Sequence, residues 1–165
     1  IRDRCGYDHF HDNKVFGGLV DGYIAYGGKR QAILEIKTSH DKERWLDEEG
    51  NVTIVPQTYM MQAGLYAELS GLDKIVFAVG FLEDADYDRP NFWVPTPENT
   101  VLITVDRPDM SGPMTDAEKW YHEYIDAGET PAWTDKDADL VKWLKSYDPN
   151  AKKKNGPSKN GRRRF

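Results

Sequence analysis

One segment, residues 17–39 (GGLVDGYIAYGGKRQAILEIKTS), constrains the fold more than any other part of the chain. Two strand-like apolar runs flank a glycine pair at 27–28, and glycine tolerates the positive φ angles that tight hairpin turns need. We therefore predict a β-hairpin, with one strand over residues 14–24 and its partner over residues 31–37. This pairing brings Asp21, in the middle of the first run, beside the end of the second strand.

The second strand ends in Glu35, Ile36 and Lys37. Alternate residues of a strand point to the same face of a sheet, so Glu35 and Lys37 are expected to project together while Ile36 points into the core. Two carboxylates and a lysine at the rim of a sheet are typical of a magnesium site with a water-activating group. Such a site carries out the hydrolysis of phosphodiesters.

The size and composition of the chain fit one folded domain. Its 165 residues are enough for a hydrophobic core, and an aromatic content of 12% is too high for a disordered chain. No apolar run approaches ~18 residues and no signal-peptide pattern opens the sequence, so we expect no membrane segment and a cytoplasmic location. The single cysteine, Cys5, excludes an internal disulfide and a four-cysteine zinc or iron–sulfur site.

The charge is unevenly distributed along the chain. The net charge is −6, but removing seven Lys and Arg of the C-terminal region from the total of 22 leaves 15 basic against 28 acidic residues. The acidic body is thus followed by a basic tail, defined as residues 150–165, which we interpret either as an arm that contacts nucleic-acid backbone or as a solvated terminus. The basic residues of the tail are Lys152, Lys153, Lys154, Lys159, Arg162, Arg163 and Arg164.

Further along the chain, the pattern predicts a helix that begins near Pro56 and ends before Gly71. Strands are predicted over residues 74–82 and 100–105, and the first of these is so apolar that we expect it to be covered on both faces. A capping box at Thr115 predicts the start of another helix, and Thr134 is expected to cap a last, short one. The predicted fold is an α/β domain with a small mixed β-sheet flanked by helices.

The residues of the hairpin and the next helix resemble the core of the PD-(D/E)xK nucleases, most closely the RecB-like and phage-type exonuclease branch. Asp21 matches the aspartate of the first motif, and Glu35-Ile36-Lys37 matches the (D/E)xK element. Gln62 and Tyr66 match the QxxxY motif of that branch, and their four-residue spacing places them on one helix face. The resemblance covers residues 15–82, about half of the chain.

This resemblance implies a restriction-endonuclease-like core and a Mg²⁺- or Mn²⁺-dependent deoxyribonuclease, an exonuclease of DNA recombination or repair in a bacterium or phage-infected host. Asp21, Glu35 and the Ile36 backbone carbonyl would hold the metal. Lys37 would orient or help deprotonate the nucleophile, or stabilise the transition state. Gln62 and Tyr66 would position the metal-bound water or the DNA backbone. DNA and a recombination protein are the implied partners, and the single cysteine argues against the iron–sulfur cluster of some relatives. The expected DNA-contacting residues of the tail are Lys152, Lys153, Lys154, Arg162, Arg163 and Arg164.

Four alternatives remain open at this point. The chain could be a catalytically weak nuclease-fold module that binds DNA or a protein, or a site-specific restriction endonuclease, although no specificity domain is evident. Glu35 and Lys37 could form a simple surface ion pair worth ~0–1 kcal/mol. A zinc site would draw on the remaining metal-capable side chains, His9, His11, Asp12, His40 and Asp41.

Many relatives carry an upstream helix with a Glu or His, for which this chain has little room. We expect residues 1–149 to form the nuclease-like domain, with that element missing or the site incomplete, and residues 150–165 to form a flexible tail. His9 or Asp12 is the expected substitute ligand. The sequence leaves the oligomeric state open.

Overall fold

The structure, a computed structural model, describes residues 8–52 and 54–147. The basic tail and its expected DNA-contacting side chains therefore lie outside the described residues. The chain divides into two compact units, Ile1–Lys119 and Trp120–Phe165. The first unit contains the β-sheet and the residues of the predicted site, and the second contains short helical segments.

Four strands form one mixed sheet in the order β1-β2-β3-β4. Their bounds are Gly22–Tyr26 for β1, Lys29–Ser39 for β2, Lys74–Phe81 for β3 and Thr100–Asp106 for β4. The β1–β2 and β3–β4 pairs are antiparallel, while β2 and β3 are parallel. The prediction of an α/β fold with a small mixed sheet is confirmed.

The hairpin turns where the sequence predicts, because Gly27 and Gly28 adopt φ angles of 58° and 76°. The first strand, however, begins at Gly22 and not near residue 14. The preceding backbone is engaged elsewhere: the carbonyl of Gly18 accepts a hydrogen bond from the His9 N–H at 2.8 Å. These residues are therefore held by the N-terminal segment and do not extend β1.

The helix between the two parallel strands, α1 (Gln57–Ser70), matches its prediction. Pro56 stands at its N-terminal cap, and Gly71 ends it in the left-handed conformation at φ 65°. A helix is the usual connection between parallel neighbours, and α1 contacts both β2 and β3. Its buried face comprises Ala63, Gly64, Tyr66 and Ala67.

The core lies on the face of the sheet that α1 covers. Ile33, Ile75, Phe77 and Val79 are fully buried there, and paired residues on neighbouring strands project to the same side. On the opposite face of β3, Val76 and Ala78 are half-buried and Gly80 is buried beside Trp93, so the expectation of a strand covered on both faces is confirmed only in part. An apolar run by itself does not distinguish a strand with one buried face from a strand with two.

The remaining helices are short: α2 (Asp84–Asp88), α3 (Ser111–Trp120) and α4 (Ala138–Ser146). The predicted start at Thr115 is wrong, because the Asp109 carboxylate accepts the Ser111 N–H at 2.9 Å and α3 begins one turn earlier. Thr134 is confirmed as a cap, because its hydroxyl donates to Asp137 at 2.7 Å at the start of a 3-10 turn, Asp135–Asp137, that leads into α4. Within the described ranges, no helix combines the length and apolarity needed to cross a membrane.

Candidate active site

The face of β2 that points to the interior determines which side chains form the candidate site. Ile33 is fully buried against α1, and the two-residue period of the strand carries Glu35 and Lys37 to the same face. Ile36 is 55% exposed on the opposite face. The expectation that Ile36 points into the core is therefore wrong, and it is Glu35 that enters the interior.

Asp21 lies immediately before β1, at the edge of the hairpin. Its Oδ2 atom accepts a hydrogen bond from the Ile36 N–H at 2.8 Å, which ties the carboxylate to the middle of the Glu35-Ile36-Lys37 element. Asp21 remains exposed to solvent, whereas Glu35 is buried. The two carboxylates are close enough for the charge of Asp21 to raise the pKa of Glu35.

Glu35 is the buried carboxyl group of this site. Its side chain is 1% exposed, its Oε2 accepts a hydrogen bond from Lys37 Nζ at 2.8 Å, and its Oε1 is buried without a hydrogen-bond partner. Burial raises the pKa of Glu35 above its ordinary value, while the hydrogen bond and charge of Lys37 oppose that rise. A buried oxygen without a partner costs free energy unless something compensates it.

Lys37 is held by three groups. Its Nζ donates to Glu35 Oε2 at 2.8 Å and to Gln62 Oε1 at 3.2 Å, and it lies 4.9 Å from the centre of the Tyr59 ring. The side chain is 15% exposed, so its ammonium group stands at the boundary between the core and the solvent. This position suits an ammonium group that must contact a ligand arriving from the solvent.

Gln62 and Tyr66 extend this chain of contacts along α1. The Nε2 of Gln62 donates to the Tyr66 hydroxyl at 3.3 Å, while its Oε1 faces Lys37. This assignment of the amide satisfies both neighbours at once. The structure therefore brings together the side chains of all five predicted site residues: Asp21, Glu35, Lys37, Gln62 and Tyr66.

The donor set fits a divalent cation of the magnesium type. Asp21 and Glu35 offer hard carboxylate oxygens, and the partnerless Oε1 of Glu35 is an acceptor that a cation would satisfy. In the part of the chain that the structure describes, no three His, Cys, Asp or Glu side chains cluster into a metal site. Magnesium commonly uses one or two carboxylates, with substrate phosphate and water as further ligands. The role of the Ile36 carbonyl stays a prediction.

The zinc alternative finds no ligand set in residues 8–52 and 54–147. His9 accepts the Val20 N–H with its Nδ1 at 3.2 Å, and His11 lies 3.2 Å from Asp12. His40 instead stacks on Tyr87, with ring centroids 4.9 Å apart. The hydrogen bond to Val20 places His9 near Asp21, which follows Val20 in the chain. The role of His9 as a further metal ligand stays a prediction.

Sequence reasoning missed the contribution of Gly18 to the site. The Tyr66 ring, which is stacked on Phe10 at 5.7 Å, lies directly against the Cα of Gly18. A Cβ at this position would stand 2.7 Å from the Tyr66 hydroxyl. The glycine pair at 17–18 was the available signal, because glycine in an extended segment often marks a close approach.

We expect Gly18→Ala to lower the free energy of unfolding by about 1–3 kcal/mol, because the added methyl group overpacks against the buried Tyr66 ring. Gly22→Ala is the matched control. Its Cβ would meet the Leu34 Cδ2 atom at 3.3 Å, and that methyl can move. Urea titrations of both variants measure the difference, and equal losses would contradict the close contact at Gly18.

Comparisons with known proteins give two relatives. No protein-family model matches the chain, and no solved structure matches it. It is similar to "Uncharacterized protein MG373" of Mycoplasma genitalium, with 29% identity over 84% of this chain and 62% of the relative. It is likewise similar to "Uncharacterized protein MG373 homolog" of Mycoplasma pneumoniae, with 29% identity and the same shares. The chain thus spans less than two thirds of these relatives, and neither printed name states an activity.

Proposed function

We propose that this chain is a metal-dependent deoxyribonuclease that hydrolyses DNA phosphodiester bonds with Mg²⁺ or Mn²⁺. The observation that carries the proposal is the Glu35 carboxylate, which is buried with one oxygen on Lys37 and the other without a hydrogen-bond partner. A buried charge in this state costs free energy, and a divalent cation is the compensating partner that carboxylate oxygens prefer. The resemblance of the motifs to PD-(D/E)xK nucleases favours the same chemistry.

Each residue of the site has a role in this proposal. Asp21 and Glu35 would hold the cation, which when bound supplies positive charge at the phosphate and lowers the pKa of water. Lys37 would stabilise the negative charge that develops on the reacting phosphate, because its ammonium is fixed before the substrate arrives. Gln62 and Tyr66 would keep that ammonium in place.

We further propose an exonuclease that acts in DNA recombination or repair, with a recombination protein as its second partner. The support is the Gln62–Tyr66 pair, whose hydrogen bond continues to Lys37 and whose motif is that of the exonuclease branch. The basic tail, which lies outside the described residues, would add affinity for the DNA backbone that is independent of sequence.

The direct test is a cleavage assay on linear and covalently closed circular duplex DNA in Mg²⁺ or Mn²⁺. We expect the linear duplex to be degraded from its ends, the circular duplex to survive, and excess EDTA to abolish the reaction. Cleavage of both forms would indicate an endonuclease. Absence of cleavage in both metals, from a chain that is folded by circular dichroism, would refute the proposed activity.

A second candidate is a catalytically weak nuclease-fold module that binds DNA or a protein. The observation that favours it is the small number of acidic ligands, since Asp21 and Glu35 are the carboxylates around Lys37 in the described chain. Salt-dependent DNA binding without cleavage, together with no detectable Mn²⁺ binding by calorimetry, would support this module over the enzyme.

A further inference from the structure

Tyr59 makes a contact with Lys37 that the proposed roles do not use. The residue lies in the first turn of α1, three positions before Gln62, and is half-buried. Lys37 Nζ stands 4.9 Å from the centre of its ring. This distance is within the ~6 Å over which a cation is attracted to the face of an aromatic ring.

The Tyr59 ring is itself held in place by a buried side chain. Trp45, in the loop between β2 and α1, is 1% exposed and stacks on Tyr59 with ring centroids 5.7 Å apart and an interplanar angle of 10°. The backbone N–H of Trp45 donates to the Lys42 carbonyl at 3.0 Å, which fixes the loop at this point. The ring that meets Lys37 is therefore backed by the core.

We propose that Tyr59 is a positioning residue that keeps the Lys37 ammonium where it meets the reacting phosphate. This inference rests on the proposed nuclease function. A lysine ammonium has three N–H donors, of which Glu35 and Gln62 each receive one. An aromatic ring attracts the cation at 4.9 Å without accepting a hydrogen bond, so the third donor stays available to the substrate.

A ring suits this place better than the other side chains that attract a cation. A carboxylate there would compete with the DNA phosphate for Lys37, and an amide would occupy the remaining N–H. The ring instead restricts a flexible four-carbon side chain whose rotamer entropy opposes any fixed position. The contribution of Tyr59 is expected to depend on the electron density of its ring and not on its hydroxyl group.

The test compares Tyr59→Phe, Tyr59→Leu and a series of fluorinated phenylalanines at position 59. We expect Tyr59→Phe to retain kcat within about twofold and Tyr59→Leu to lower kcat by about 3- to 10-fold with little change in KM for DNA. Stepwise fluorination, which weakens the negative ring face at nearly constant shape, should lower kcat stepwise. A purely structural role for Tyr59 would leave kcat constant along the fluorinated series, and that result would overturn the proposal.

Tyr23 provides the matched control, because Arg30 stands over its ring at 3.8 Å in the same kind of contact. Tyr23→Leu is expected to leave kcat unchanged, since Arg30 belongs to the far end of the hairpin. An equal loss of kcat in the Tyr23 and Tyr59 variants would assign the effect to general weakening of the fold and would overturn the positioning role.

A second readout does not need cleavage. In protein labelled with ¹³C at lysine Cε, the Lys37 methylene protons should be shifted upfield by the Tyr59 ring. The shift should persist in Tyr59→Phe and disappear in Tyr59→Leu, with Lys37→Gln assigning the resonance. An inactive wild-type chain that shows this shift would refute the proposed function alone. A Lys37 resonance that is the same in wild type and Tyr59→Leu would overturn the contact itself.

Discussion

Lys37→Gln is expected to lower the rate of DNA cleavage by about 10²–10³-fold while the chain remains folded. The substitution removes the cation that would face the phosphate, yet a glutamine amide can still donate to the Glu35 carboxylate that Lys37 contacts at 2.8 Å. The Oε2 atom of Glu35 therefore keeps a hydrogen-bond partner. Single-turnover cleavage of linear duplex DNA in Mg²⁺ measures the effect, with circular dichroism to verify the fold.

Lys74→Gln is the control for that measurement. Lys74 begins β3, the strand next to β2, and pairs with Asp106 on an exposed part of the sheet. Exposed ion pairs contribute little to stability, so this variant should cleave DNA at the wild-type rate. If Lys37→Gln cleaves as fast as Lys74→Gln, the proposed role of Lys37 in catalysis is wrong.

Glu35→Gln is expected to stabilise the protein and to inactivate it. Cleavage should fall by about 10²-fold or more, because the proposed metal site loses one of its two carboxylates. The free energy of unfolding at pH 7 should rise by about 0.5–2 kcal/mol, as happens when a functional group that destabilises the fold is replaced. Desolvation of Glu35, together with the nearby charge of Asp21, outweighs the hydrogen bond and charge of Lys37, which is why the pKa of Glu35 is raised and why a neutral isostere is favoured.

The gain in stability should depend on pH in a defined direction. Between the ordinary pKa of 4.5 for Glu35 and its raised value in the folded state, the folded wild-type chain binds more protons than the unfolded chain. The wild-type free energy of unfolding therefore falls as pH rises through this window, and the loss is complete above it. The difference between variant and wild type should be largest at neutral pH and vanish below the ordinary pKa.

Urea titrations at pH 4 and pH 7 measure this difference, with an unchanged m-value as the sign that both chains unfold in the same way. Glu43→Gln, at an exposed position in the loop after β2, is the control and should change stability little at either pH. A Glu35→Gln variant less stable than wild type at pH 7 would show that the ion pair with Lys37 outweighs the cost of burial.

The local pattern of the sequence determined the elements that frame the site. The glycine pair at 27–28 specified the hairpin, and Pro56 and Gly71 specified the ends of α1, because proline and glycine restrict or permit backbone angles whatever surrounds them. The four-residue spacing of Gln62 and Tyr66 likewise placed them on one face, as the hydrogen bond between them requires.

The sequence pattern did not determine how those elements face one another. The period of β2 was evident, but which of its faces turns inward depended on Ile33 packing under α1, and this reversed the expected positions of Glu35 and Ile36. The start of β1 depended on where the backbone around Gly18 finds its hydrogen bonds, and the partner was His9 and not the next strand. The start of α3 depended similarly on one side chain, the Asp109 carboxylate that accepts the Ser111 N–H.

The motifs Asp21, Glu35-Ile36-Lys37 and Gln62-x-x-x-Tyr66 could thus be read from the chain alone, because residue type and spacing are local properties. Only the tertiary structure decided that Glu35 is the buried member with an oxygen that lacks a partner, and that Tyr59 and Gln62 converge on Lys37. Burial and convergence depend on contacts between segments distant in sequence, and no local pattern encodes the distance between them.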